Sequence, residues 1–221
     1  MTELSPPHQT LHDGEVAGLS TELVKAILAT AGVSAGIELY PWARSFRIAS
    51  SQANVLIYNI ARTPEREAQF HWIGTVAAYQ LGFVALTHRS EITINQLTDA
   101  SRFSIAVQRD DLAAHYLMKN GFKVGEQLVL AADITESWQL LLNGKVDLVV
   151  DDPVALSGMT AELGVAETDV RFVYAITELA QQTWLAASMQ TSVELVERLK
   201  QAHQQVATSE RYHQVMASEY R

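Results

Sequence analysis

Two carboxylates stand side by side at Asp151-Asp152, directly after the strand-like run Val146-Asp147-Leu148-Val149-Val150. An adjacent acid pair is one arrangement for general acid–base chemistry. On an extended strand, however, neighbouring side chains point to opposite faces, so the two need not converge. His8, His12 and Asp13 offer nitrogen and oxygen ligands to a metal. Their spacing matches no established metal motif, and no metal is expected there. Arg44 and Arg109 would favour an anionic or dicarboxylate ligand if they line a pocket; otherwise they are solvated surface cations. Trp42 follows a predicted strand, where its ring stacks on a ligand or cation or else packs into a core. Tyr79, His71 and Trp72 fit sheet-face or core packing better than a site. The sequence has no Gly-x-Ser-x-Gly, His-Glu-x-x-His or Gly-x-Gly-x-x-Gly, so nucleophilic, zinc and dinucleotide chemistries have no support.

The elements that must position these residues alternate between strands and helices. Val55-Leu56-Ile57-Tyr58, Phe103–Val107 and Val146–Val150 are short runs rich in strand formers, the pattern of strands covered on both faces. Ile37-Glu38-Leu39-Tyr40 alternates and predicts a half-buried strand. Leu23, Ile27 and Ala31 share a helix face that Ser20 caps and Gly32 ends. Thr63-Pro64-Glu65 is in helix-start order. Further helices carry Leu112, Tyr116 and Leu117; Trp138, Leu141 and Leu142; and a segment opened by Asp152-Pro153 and stopped near Gly164. Thr191 and Glu194 predict a capping box. The last helical pattern uses Tyr212, Val215, Met216 and Tyr220. Alternation of this kind argues an α/β fold with mainly parallel sheets. Phe83–Leu86 and Trp184–Ser188 are extended stretches that bracket a self-contained strand–helix series. That predicts two lobes: 1–88 with 183–221, and 89–182. A ligand would then sit in the cleft, where loops after strand ends converge.

Composition narrows the function. The 221 residues include 25 acidic and 16 basic side chains, a net charge of −9. This argues against nucleic acid and anionic membranes, both of which are bound through clustered Lys and Arg. There is no Cys, which excludes disulfides, thiolate metal sites and Cys nucleophiles. No apolar run approaches the roughly 18 residues of a membrane span. The N-terminus lacks the basic and apolar regions of a signal peptide, so either the protein is cytoplasmic or a leader has been removed.

Several blocks in fixed order resemble a known family: Pro6-Pro7, Gly14-Glu15-Val16-Ala17-Gly18-Leu19-Ser20, Pro41-Trp42-Ala43-Arg44, Arg62-Thr63-Pro64-Glu65-Arg66-Glu67, and Gly144-Lys145-Val146-Asp147 followed by Asp151-Asp152. Over essentially the whole chain they resemble the polar-amino-acid solute-binding proteins of ABC importers, family 3, with the type II periplasmic-binding fold. The resemblance implies two lobes joined by two hinge crossings and a small solute bound between them. It implies that Arg66 takes a carboxylate and Asp152 an ammonium. The chemistry agrees, since a guanidinium fork pairs two carboxylate oxygens. Without the resemblance, Arg66 reads as a surface ion pair with Glu65 or Glu67, and Asp152 as a helix cap.

The chain departs from the family pattern in places. Asn59 and Ala61 stand where small or hydroxyl residues are usual, so that a Ser or Thr donor to the carboxylate is missing at Ala61; Gln108-Arg109-Asp110-Asp111 replaces a Gly-Thr-Thr stretch, and His8 replaces an aromatic. The resemblance further implies a periplasmic monomer with its leader removed, a membrane ABC permease as partner, no cofactor and no catalysis. The alternatives are an enzyme resembling arogenate or prephenate dehydratases, and a ligand-sensing module serving a signalling partner.

Overall fold

The computed structural model describes residues 1–217. Along the chain it forms β1 (Thr10–His12), β2 (Glu15–Ala17), α1 (Leu19–Thr30), α2 (Trp42–Ser51), β3 (Leu56–Ala61), β4 (Phe70–Leu86), β5 (Ile105–Gln108), α3 (Leu112–Lys119), β6 (Leu128–Ala131), α4 (Ile134–Leu142), β7 (Leu148–Asp151), α5 (Leu156–Leu163), β8 (Val170–Ser188), α6 (Val193–Val206) and α7 (Glu210–Met216). The chain divides into two compact units, Met1–Ala78 with residues 181–217, and Tyr79–Ala180. It passes between them within β4 and again within β8. The sequence expectation put these crossings near residues 88 and 182. β4 and β8 each run through the boundary as one continuous strand, past the local turn signals.

In the first unit β3 pairs antiparallel with β8, Leu56 opposite Ala187 and Ala61 opposite Thr183. One apolar cluster joins α1 to α6 through Val24, Ile27, Leu28, Val196 and Leu199. Burying a side chain such as Ile27 contributes about 1.5–3 kcal/mol. A second cluster gathers Trp42, Ile57, Ile60, Phe70 and Trp72. Gly18 is the N-cap of α1, with φ +104°. A Cβ there would stand 2.6 Å from the His8 carbonyl oxygen, so only glycine lets the helix start against the Pro7-His8 backbone.

In the second unit β5 pairs in parallel with β6 and β7, while β4 pairs antiparallel with β7. Ile105, Val107, Leu148 and Val150 fill its core with Phe83, Ala114 and Leu117. The parallel pairing expected of the continuous apolar runs holds here for 103–107 and 146–150, whereas the run at 55–58 pairs antiparallel with β8 in the first unit. Asp111 caps α3 and Asp133 caps α4.

Local expectations differ in five places. Residues 37–40 make only an isolated bridge, Leu39 to Thr2, because no full-length partner strand lies alongside. Trp42 opens a helix rather than following a strand, with Pro41 at the cap. Thr63-Pro64-Glu65 starts only a turn and a single 3-10 turn, Glu67–Gln69, before β4 begins. Ser20 does not cap α1; it lies buried in the first turn and bonds His8 instead. The cap of α6 is Ser192, which accepts from the Leu195 N–H, rather than Thr191. Tyr220 lies outside the described residues.

Candidate functional site

Arg66 sits at the end of a tight turn whose N–H bonds back to the Thr63 carbonyl, 3.0 Å away. The turn is held from outside. Arg62 donates two bonds to Glu67, at 2.8 and 2.6 Å, while its guanidinium lies over the Trp184 and Trp72 rings. The Trp72 indole N–H donates to the Glu67 carbonyl. The paired charges hold the Glu67 carboxyl below, and the Arg62 guanidinium above, their usual ranges, chiefly through these hydrogen bonds. The Arg66 residue itself is only 9% exposed. Its guanidinium lies over the Trp42 and Phe46 rings and donates to the Ala61 carbonyl at 3.4 Å. Trp42 and Phe46 are one turn apart on α2, so the helix presents both rings to one side.

Beside this group, Asn59 has φ +57° at a register break between Ile57 and Ile60. Asn tolerates the left-handed region better than most residues, and a break of this kind re-aims side chains. Its amide donates to the Ser20 hydroxyl and accepts from Thr183. The Ser20 hydroxyl also meets Nδ1 of buried His8, at 3.1 Å. Burial lowers the His8 pKa to about 4, so the ring is neutral at physiological pH. His12 and Asp13 pair with each other on the exposed β1–β2 turn, and His8 is buried against Ser20 instead. Among the described residues, no group of three or more acids or histidines is placed to hold a metal ion. Arg44 is exposed and stacks on Tyr40, 3.9 Å from the ring centre.

In the second unit Asp152 is 2% exposed. One carboxylate oxygen accepts from the Val154 N–H and the other from the Gln80 N–H, at 2.8 and 2.7 Å. The residue is therefore a helix cap and a brace on β4. Asp151 bonds elsewhere, accepting from the Trp138 indole N–H at 2.7 Å and from the Asp152 N–H. Burial raises its pKa to about 7, against the opposing pull of those two bonds. The adjacent acids do not converge as a catalytic pair. Arg109 is exposed in the loop after β5.

The structure thus brings Arg66, Trp42 and Ala61 together, and separately His8 and Asn59. Sequence reasoning missed Phe46, which the i, i+4 spacing from Trp42 would have disclosed had α2 been recognised. It also missed Ser20, Thr183 and Trp138 as partners, since nothing in their spacing signals those contacts.

A family model for bacterial extracellular solute-binding proteins, family 3, matches residues 1–218. The chain belongs to that family. Its members are binding proteins rather than enzymes, so the dehydratase alternative finds no support. No curated protein matches the sequence. Among solved structures, a histidine kinase sensor domain similar to periplasmic binding proteins shares 22% identity at a TM-score of 0.83, over 97% of this chain and 91% of that one. An ancestral arginine-binding protein bound to glutamine shares 20% at 0.81, over 97% and 93%. The arginine-, lysine-, histidine-binding protein ArtJ of Geobacillus stearothermophilus shares 17% at 0.80, over 97% and 90%. These likenesses establish the α/β periplasmic-binding fold. Among the described residues, no helix is long and apolar enough to cross a membrane.

Proposed function

We propose that the protein is an extracytoplasmic receptor of an ABC importer, a monomer that binds a small carboxylate-bearing polar solute, such as an amino acid, and hands it to a membrane permease. The observation that carries this reading is the Arg66 guanidinium, buried against Trp42 and Phe46 at the end of a braced turn. Such a fork is preorganised for a carboxylate, and the surrounding rings keep it from bulk water. Arg66 is the carboxylate anchor, with Trp42 as its apolar wall. Ala61, Asn59 and His8 line the same unit. Asp152 takes a cationic group of the solute, and Arg44 and Arg109 contribute positive charge. The solute acts by favouring the conformation it binds better.

The test is a thermal-shift screen against amino acids, dicarboxylates and small cyclic acids, followed by calorimetry on the best binder. A true solute raises the melting temperature with the logarithm of its concentration. Arg66→Ala should weaken binding by roughly 10- to 150-fold, since a charge-assisted pair is lost. Unchanged affinity in that variant overturns the assignment.

A second reading is a ligand-sensing domain that reports to a signalling partner. It draws support from the shared fold of the histidine kinase sensor domain. Sequencing the native gene decides: fused membrane and kinase segments favour the sensor, and a leader peptide before a solitary domain favours the receptor.

A further inference from the structure

Arg62 and Arg66 belong to one turn, and each lies over aromatic rings. The rings form a single ladder. Trp42 meets Phe46 at 6.0 Å between ring centres, Phe46 meets Phe70 at 5.6 Å, Phe70 meets Trp72 at 5.8 Å and Trp72 meets Trp184 at 6.1 Å. Three elements of the first unit supply these rings, α2, β4 and β8. Phe70 and Trp72 are two apart on β4, so both point to one face. The Arg66 guanidinium rests on the Trp42–Phe46 end. The Arg62 guanidinium rests on the other end, 5.3 Å from the Trp72 ring and 4.7 Å from that of Trp184. The turn is thus fastened at both ends of the ladder.

The two cations differ in what holds them. Arg66 is buried, whereas Arg62 is exposed and donates to both carboxylate oxygens of Glu67, through Nε to one and Nη2 to the other. An isolated surface ion pair fixes little. A two-bond fork stacked on two indoles has few other positions to take. Glu67 is held through its main chain as well, since its carbonyl accepts from the Trp72 indole N–H at 3.0 Å. Glu67 follows Arg66 directly, and the Gln69 N–H donates to the Arg66 carbonyl at 2.9 Å. Any movement of Glu67 therefore moves the backbone that carries Arg66.

We infer that Arg62 is a positioning residue: clamped to Glu67 over Trp72 and Trp184, it fixes the turn so that the Arg66 guanidinium stays at the Trp42 end of the ladder, aimed for a carboxylate. The inference rests on the receptor reading and gives Arg62 no contact with the solute.

The experiment uses the full chain, the variants Arg62→Leu and Glu67→Gln and their double variant, and three probes that all carry carboxylates: L-arginine, L-glutamine and glutarate. Leu still covers the indoles but pairs with no carboxylate. The four tryptophans give four indole N–H resonances that report on the ladder without any probe, and Trp42→Phe assigns the one at the Arg66 end. In Arg62→Leu the Trp42 resonance should move, although Arg62 lies over the rings at the other end, while that of Trp138 in the second unit stays in place. In calorimetry Arg62→Leu should bind about tenfold more weakly every probe that wild type binds. The double variant should bind no more weakly than Arg62→Leu, because the two side chains act through one pair. A fixed Trp42 resonance, or unchanged affinity in Arg62→Leu, overturns the inference and leaves Arg66 standing as the carboxylate anchor. So do losses that add in the double variant, and so does a shift of the Trp138 resonance, which marks a general loss of structure. Wild-type protein that binds none of the three overturns the receptor reading, and the role of Arg62 with it.

Discussion

The guanidinium carbon of Arg66 lies 5.4 Å from the centre of the Trp42 ring, with Phe46 at a similar distance. The cation and the ring reach each other from different elements, a turn before β4 and the first residue of α2. A partly desolvated cation over an indole gains about 0.5–2 kcal/mol, which fixes the guanidinium without using the in-plane N–H donors that a carboxylate needs.

Removing that ring should act on folding and binding together. Trp42 is buried in the cluster with Ile57, Ile60 and Phe70. Trp42→Ala should therefore lower stability by about 3–5 kcal/mol in urea unfolding. Trp42→Phe, which keeps an aromatic face, should retain most of both stability and solute affinity. A Phe variant that is stable yet binds as poorly as Arg66→Ala would show that the indole itself touches the solute.

Two buried groups should give stability opposing pH dependences. His8 has its pKa lowered to about 4, from 6.5 when unfolded. The unfolded chain thus binds the extra proton between those values, and stability falls as pH drops from about 6.5 towards 4. Asp151 has its pKa raised to about 7, from 3.8. Here the folded protein holds the extra proton, so stability falls as pH rises from about 4 to 7. In His8→Gln the Asp151 trend should stand out, and in Asp151→Asn the His8 trend. Unfolding midpoints at pH 4.5, 5.5 and 7 check this; parallel profiles for the two variants contradict it.

Gly82 lies where β4 runs close to β8 in the second unit. A Cβ there would stand 2.2 Å from the Tyr174 carbonyl oxygen, a backbone atom that has no rotamer to escape into. Gly82→Ala should therefore cost about 1–3 kcal/mol of stability, through strand displacement. A neutral substitution in urea unfolding would mean the strands separate more easily than their packing indicates.

Asp152 combines a structural role with a proposed binding one, and two variants separate them. Asn keeps one acceptor oxygen, enough for the Val154 cap, but turns its NH2 towards the Gln80 N–H. Asp152→Asn should thus lose about 1–3 kcal/mol of stability, for the unmet Gln80 bond, together with affinity for cationic solutes such as L-arginine. Asp152→Ala should lose the cap as well, about 1 kcal/mol more, and the same affinity. Full L-arginine affinity in the folded Asn variant reduces Asp152 to a cap and a brace on β4.

The core of the fold was legible because it follows period and punctuation. The apolar runs at β3, β5 and β7 are continuous, and Gly32 and Gly164 both have the left-handed conformation just past the ends of α1 and α5. Residues 37–40 and Thr63–Glu65 misled for one reason. Each carries the right local preference, but a strand needs a partner and a helix needs room, and neither is encoded locally.

The site divides in the same way. Residue type and order alone determined that the chain is α/β, that it belongs with solute-binding folds, and that Arg66 and Asp152 were the side chains to watch. Only tertiary structure decided which groups surround them: Phe46 and Trp42 beside Arg66, the Val154 and Gln80 N–H groups on Asp152, and Trp138 on the neighbouring Asp151. Side-chain chemistry is a property of each residue and can be read in isolation. Burial and partnership join residues far apart in the chain, Gln80 to Asp152 for one, and exist only once the strands have paired.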